Sequence, residues 1–206
     1  MSAREGTFIA FEGGDGAGKS TQVDRLAASL TRAGREVVLT RQPGGTPLGA
    51  ALRDLVLHGE AVTPRAEALI FAADKAQHVE EVILPSLERG AVVITDRYTD
   101  SSIAYQGAGR DLGSAEVAQL QGWAVAGLLP HLTVLVDIDP GEGRRRRGAV
   151  HDRMEAEADA FHAAVRGHFL ALAEQAPQRY LVVDGTAAPE EIARRVWARV
   201  TEDGFG

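Results

Sequence analysis

Eight residues near the start of the chain, Gly13-Gly14-Asp15-Gly16-Ala17-Gly18-Lys19-Ser20, fit the spacing G-x-x-x-x-G-K-[ST]. The glycines let the backbone turn so that successive N–H groups converge on phosphate oxygens, and a following helix N-terminus adds partial positive charge. Lys19 would reach the β- and γ-phosphates of a nucleoside triphosphate, the Ser20 hydroxyl would ligate Mg²⁺, and Thr21 would donate to an inner phosphate. The run from Gly13 to Thr21 is therefore the expected ATP site. Such a loop does not fix the reaction, because switches, motors and kinases share it. The chain's two lysines, Lys19 and Lys75, both lie outside any Asn-Lys-x-Asp motif, which argues against a guanine-nucleotide switch.

Arginines supply the second set of candidates. Arg41 follows a short apolar run in the phrase TRQPGGT, Arg53 lies in the helical segment after it, and Arg97 follows another apolar run in Asp96-Arg97-Tyr98. A guanidinium group binds phosphate bidentately and does not lose its charge, so three of them at neighbouring strand ends suit a second phosphate facing the first. Taken singly, each could be an ordinary surface ion pair. A further run, Arg144 to Arg147, continues towards Asp152, Arg153 and Glu155; it reads either as a solvated helix end or as a lid over the ATP phosphates.

The elements that would position these groups are legible from periodicity. Short apolar runs at Thr7–Glu12, 36–40, 91–95, 132–138 and 180–184 read as strands. Helical patterns run from the phosphate loop to about Ala33, then over 48–57, 65 to about 89 with a bend midway, 115–128, 159–176 and 189–200. This alternation implies an α/β fold: a doubly wound, five-stranded parallel sheet flanked by helices, of the P-loop NTPase type, with a lid at about 142–153. Ligands bind beyond the carboxyl ends of such strands, where the loop and the arginines fall.

With 206 residues, 45% of them hydrophobic, a single domain spanning 1–206 is expected. The net charge of −7 argues against a surface that tracks nucleic-acid phosphates. No apolar run approaches the ~18 residues of a membrane span and the N-terminus does not resemble a leader, so a cytoplasmic protein without membrane contact is expected. The absence of cysteine removes disulfides and thiol catalysis.

The phrases EGGDGAGKST (Glu12 to Thr21), TRQPGGT (Thr40 to Thr46), Asp96 to Tyr98 with the following SSIAYQGAGR, and DRME (Asp152 to Glu155) together resemble the ordered signature of bacterial thymidylate kinases, over about Phe8 to Asp184. The resemblance implies transfer of the ATP γ-phosphoryl to dTMP with Mg²⁺, by a homodimer. It implies that Arg97 lies between donor and acceptor phosphates, with Lys19, Asp15 and Arg153 completing the catalytic set. Asp96 would orient Arg97 or hold Mg²⁺ through water, Asp15 would stand beside the acceptor's 3′-hydroxyl and the metal, and Glu155 would lie near the same place. Arg41 and Arg53 would grip the dTMP phosphate, and one or more of Arg144, Arg145, Arg146 and Arg147 would reach in from the lid. Phe71 would stack on thymine, Lys75 would read a thymine carbonyl, Ser102 and Gln106 would add polar contacts, and Tyr105 would crowd a ribose 2′-hydroxyl. Without the resemblance, Phe71 would read as core. The chain departs from the family at Lys75, where Arg is commoner, and at Gln42, where Glu is usual. The competing readings are another monophosphate acceptor, such as a different nucleotide or dephospho-coenzyme A, and a nucleotide-dependent switch or regulatory ATPase.

Overall fold

The computed structural model describes residues 6–147, 154 and 157–206. Five strands, β1 (Thr7–Glu12), β2 (Val37–Arg41), β3 (Val92–Asp96), β4 (Leu132–Asp137) and β5 (Tyr180–Asp184), form one parallel sheet in the order β2-β3-β1-β4-β5. The order reverses direction around β1, so the loops after β1 and β3 open into the crevice where such sheets bind ligands.

Alternation along β1 divides the core. Ile9 and Phe11 face one side, where Val23, Leu26 and Leu30 of α1 (Lys19–Arg32) and Ile192, Val196 and Val200 of α9 (Pro189–Glu202) cover them. Phe8 and Ala10 face the other side, against Val79, Ile83, Tyr98 and Val125. With both faces covered, β1 is buried along its whole length, which is why it reads as a continuous apolar run. Its one charged residue, Glu12, is buried as well.

The remaining helices are α2 (Pro47–His58), α3 (Pro64–His78), α4 (Leu84–Glu88), α5 (Thr99–Ser102), α6 (Ser114–Ala124), α7 (Pro140–Arg147) and α8 (Asp159–Gln175). The bend expected within 65–89 is a π-helical stretch, Val79–Ile83, between α3 and α4. It precedes Pro85, which lacks an N–H and crowds the preceding turn, so the hydrogen-bond ladder must loosen there. The segment 99–109, which carries no helical signal, is helical throughout: α5 continues into a π-helical stretch, Ile103–Gly109. Its glycines mimic a loop in the sequence, yet they are close-approach positions. A Cβ on Gly109 would lie 2.5 Å from the Phe161 ring, and one on Gly107 would lie 2.9 Å from the Ser114 backbone. The α6 helix stops before 128 because Ala126 and Gly127 turn the chain with positive φ. The second strand lies one residue later than its apolar run suggests and so includes Arg41. Among the described residues, no helix is long and apolar enough to cross a membrane.

Candidate active site

Between β1 and α1 the chain makes the phosphate loop, seated against β4 and α7. Gly13 has φ +133°, and a Cβ there would lie 2.3 Å from the Val136 carbonyl oxygen; one on Gly16 would lie 2.3 Å from that of Gly143. At these two positions the loop has room only for glycine. Lys19 arches back over it, with Nζ donating to the carbonyls of Gly13 at 3.1 Å and Gly14 at 3.0 Å. Burial lowers the Lys19 pKa and Arg97 lowers it further, while Asp96, Asp15 and Glu12 act in the opposite direction.

The Ser20 hydroxyl donates to Asp96 Oδ2 at 3.2 Å, whereas Asp96 Oδ1 is buried without a hydrogen-bond partner among the described residues. A carboxylate oxygen left so, beside a hydroxyl at the mouth of a phosphate loop, suits a hydrated divalent cation. Among the described residues, no three His, Asp or Glu side chains cluster as a metal cage. An ion held here would therefore take most of its ligands from water and phosphate, as Mg²⁺ commonly does.

Arg97, the first residue after β3, adopts φ +69°, unusual for a residue with a Cβ. Its amide donates to Phe11 O at 2.9 Å, and its own carbonyl accepts from Thr95 Oγ1 at 2.9 Å, so neighbours on both sides enforce the turn. Nη1 donates to Gly13 O at 3.1 Å and to Ser101 Oγ at 3.0 Å, while Nη2 pairs closely with Asp15 and lies 3.3 Å from the Tyr105 hydroxyl. Tyr105 in turn donates to Asp15 Oδ2 at 3.0 Å. Burial alone would raise the Asp15 pKa, but the Arg97 and Lys19 charges override it and hold the carboxyl below its ordinary range. Asp15 rather than Asp96 thus grips the guanidinium of Arg97, and Asp96 is engaged with Ser20.

Two clefts meet at this arginine. One, about 1050 Å³ and open to solvent, is lined by Gly16, Gly18, Lys19, Ser20, Thr21, Arg41, Asp96 and Arg146. The other, about 570 Å³, is lined by Pro43, Leu57, Phe71, Lys75, Tyr98, Ser101, Ser102, Tyr105, Gln106 and Met154. Asp15, Gln42, Arg53 and Arg97 belong to both. The first cleft is polar and rich in donors, as a polyphosphate requires; the second has an aromatic and aliphatic wall with a few polar groups, as a base and sugar require.

The second cleft rests on buried polar groups. Lys75 Nζ donates to Ser102 Oγ at 2.8 Å and lies 5.6 Å from the centre of the Phe71 ring. Burial pushes its pKa down to about 8, against the attraction of Asp74, Glu12 and Asp100. Gln106 Nε2 is committed to Glu67 at 2.9 Å. The 42–46 turn is pinned from α3: the Gly44 amide donates to Asp74 Oδ1 at 3.1 Å, while His78 Nδ1 accepts from Gln42 Nε2 at 2.8 Å and His78 Nε2 donates to Thr40 Oγ1 at 2.6 Å. Burial, with Lys75 nearby, holds the His78 pKa down to about 4, so its ring is neutral and Nδ1 is an acceptor for the Gln42 amide. Gln42 therefore faces His78 rather than orienting Arg41. Arg53 reaches the same turn through Pro43 O at 3.1 Å.

Of the arginines in the 144–147 run, Arg146 lines the polar cleft and donates to Gly185 O at 2.8 Å. Arg144 pairs with Asp159 and Arg145 with Glu142, away from both clefts. Arg147 ends α7, and Arg153 and Glu155 lie outside the described residues. Sequence reasoning passed over Glu12, His78, Asp74 and Met154. A lone carboxylate in an apolar strand could have flagged Glu12, and Met154 sits inside the DRME phrase.

Residues 11–196 match the family model for thymidylate kinase. The chain is 55% identical over 201 residues to a thymidylate kinase of Leifsonia xyli, covering 96% of this chain and 95% of that protein. It is 51% identical over 203 residues to one of Bifidobacterium longum, covering 96% and 97%. A crystal structure of thymidylate kinase from Ehrlichia chaffeensis superposes with a TM-score of 0.78 at 33% identity, covering 94% of this chain and 98% of that one.

Proposed function

This chain belongs to the thymidylate kinase family, an ATP-dependent enzyme that phosphorylates dTMP, and from that premise we propose which residues carry the reaction. The donor phosphates lie on the amides of Gly13 to Thr21 under Lys19, and the dTMP phosphate lies between Arg41 and Arg53. Thymine stacks on Phe71 with Lys75, Ser102 and Gln106 at its edge, and Tyr105 stands beside the sugar. Arg97 bridges the two phosphates. The observation that carries this reading is that Arg97, fixed by Asp15, Gly13 O and Ser101, lines both clefts.

Phosphoryl transfer asks the protein mainly to align two repelling anions and to neutralise the charge that spreads over the transferring group. Lys19 and Arg97 supply fixed positive charge where that charge develops. Asp15 and Tyr105 hold the guanidinium plane, so little reorganisation accompanies transfer. Ser20 and Asp96 are the residues that would hold Mg²⁺, with Asp15 and Glu155 nearby; the ion would offset charge on the β- and γ-oxygens. Arg146 reaches over the donor side from α7, and Arg153 with the rest of the lid, about 142–153, would cover it and exclude water. One kinase domain spans 1–206. The protein acts in the cytoplasm, without nucleic acid or membrane as partner.

A homodimer is part of the same reading. Neighbouring helices α2, α3 and α6 present Leu55, Leu69 and Trp123 to solvent, and Trp123 is 82% exposed. Large apolar side chains left open on adjacent helices suit a self-complementary contact.

ADP formation from ATP with dTMP, dUMP, dGMP or no acceptor tests the assignment. Turnover with dTMP should exceed that with dUMP by about 10- to 200-fold, the reach of a pocket for one methyl group, with little from dGMP or from ATP alone. Phosphate release independent of acceptor would contradict it.

A further inference from the structure

Glu12 ends β1 and lines neither cleft, yet it has no solvent exposure at all. A carboxylate is costly to bury unless donors surround it. Here the donors come from one turn: Tyr98 N at 2.8 Å, Ser101 N at 3.1 Å and Ser101 Oγ at 2.5 Å. That turn starts with Arg97 in its left-handed conformation. Ser101 Oγ is the link, because it donates to Glu12 Oε2 and accepts from Arg97 Nη1 at 3.0 Å.

The setting is more demanding than a structural tie needs. Burial and the neighbouring Asp100 carboxylate push the Glu12 pKa up to about 7, while Arg97, Ser101 and the Tyr98 amide draw it back. Asp100 is itself engaged by Tyr180, the first residue of β5, and by Arg179 just before it. An apolar residue would fill the space without this cost but could not hold the 98–101 amides or the Ser101 hydroxyl.

We propose that Glu12 is a positioning residue for phosphoryl transfer, which through Ser101 and the 98–101 turn fixes the guanidinium of Arg97 at the junction of the two clefts. The inference rests on the role given to Arg97 above, and its test separates the two. Glu12→Gln keeps the shape but places an amide against donors, so the Ser101 hydroxyl loses its acceptor. The expected result is a fall in kcat of about 10- to 100-fold, the range for groups that orient a functional side chain without touching substrate. The KM values for ATP and dTMP should change less than kcat, within about 3-fold, because Glu12 lines neither cleft and Lys19, Arg41 and Arg53 keep their places on the substrate phosphates. Ser101→Ala should act in the same direction, and it decides the matter if the Glu12 variant fails to fold by circular dichroism.

In an Arg97→Ala background each change should cost less than about 2-fold more, since groups acting through one another are not additive. Folded Glu12→Gln and Ser101→Ala proteins with kcat near wild type would overturn the proposal. So would losses that persist undiminished on top of Arg97→Ala, which would make Glu12 a support of the fold alone. Near-normal turnover by Arg97→Ala itself would instead strike the catalytic reading of Arg97, and the positioning role with it.

Discussion

The two halves of the site are built from different materials. In the proposed donor half, one uninterrupted segment, Gly13 to Thr21, offers backbone amides as the ligands, and at Gly13 and Gly16 the packing leaves no room for a side chain. The proposed acceptor half is gathered from β2, α2, α3 and the segments after β1 and β3, and its lining is side chains; behind that lining, Glu12, Asp74 and Asp100 are charged groups buried beside Lys75. Backbone amides do not titrate near neutral pH, so Lys19 is the lysine on which that half depends. A side-chain site must satisfy every buried charge, so it gains selectivity and becomes sensitive to substitution and to pH.

That contrast can be broken most severely where the halves meet. Arg97→Ala should lower kcat by roughly 10³-fold while the fold persists, by analogy with supplied arginines in phosphoryl transfer; steady-state kinetics beside a thermal melt would show it. On the donor side, Gly13→Ala should cost about 2 to 4 kcal/mol of stability, because a Cβ would press on the Val136 carbonyl at an unfavourable φ. Denaturant unfolding would register that loss, and a change only in ATP affinity would mean that the loop yields more than its packing indicates. Arg53→Ala should raise the KM for dTMP by about 10- to 100-fold, the value of charge-assisted hydrogen bonds, and leave that for ATP unchanged.

The smallest effect is one of pH. Lys75, held down to about 8 by burial, loses its ammonium as pH rises past that value, so the KM for dTMP should climb about 5-fold between pH 8 and pH 9. The sign for stability is opposite. A base whose folded pKa lies below its ordinary 10.5 makes the fold more stable as pH rises from about 8 towards that value, so this group's titration cannot unfold the protein there. Lys75→Arg, which stays charged, should flatten the profile. An unchanged rise in that variant would assign the titration elsewhere.

The same contrast explains what the sequence disclosed. The place of the phosphate loop between a strand and a helix was legible, since its glycine spacing, lysine and serine are contiguous. Arg41, Arg53 and Arg97 were legible as a set because strand ends converge in a doubly wound sheet. Phe71, Lys75, Ser102, Tyr105 and Gln106 were reached only through family resemblance: helix periodicity places Phe71 in a core, and Gly107 and Gly109 disguise a helix as a loop. The partners of these residues were not legible at all. That Gln42 meets His78, that Asp15 grips Arg97 and that Glu12 holds the 98–101 turn are pairings between segments far apart in the chain. No local pattern encodes such pairings, because two depend on the register of β1 with β3 and the third on the seat of α3 against the turn after β2.

A crystal structure of the protein with ADP, Mg²⁺ and dTMP bears most directly on the meeting of the two halves at Arg97. The expected result places the ADP phosphates on the Gly13–Thr21 amides, the dTMP phosphate between Arg41 and Arg53, and the Arg97 guanidinium within about 2.7–3.2 Å of dTMP phosphate oxygen. A dTMP phosphate bound out of reach of both Arg41 and Arg97, with Arg97 still engaged only by protein groups, would contradict it.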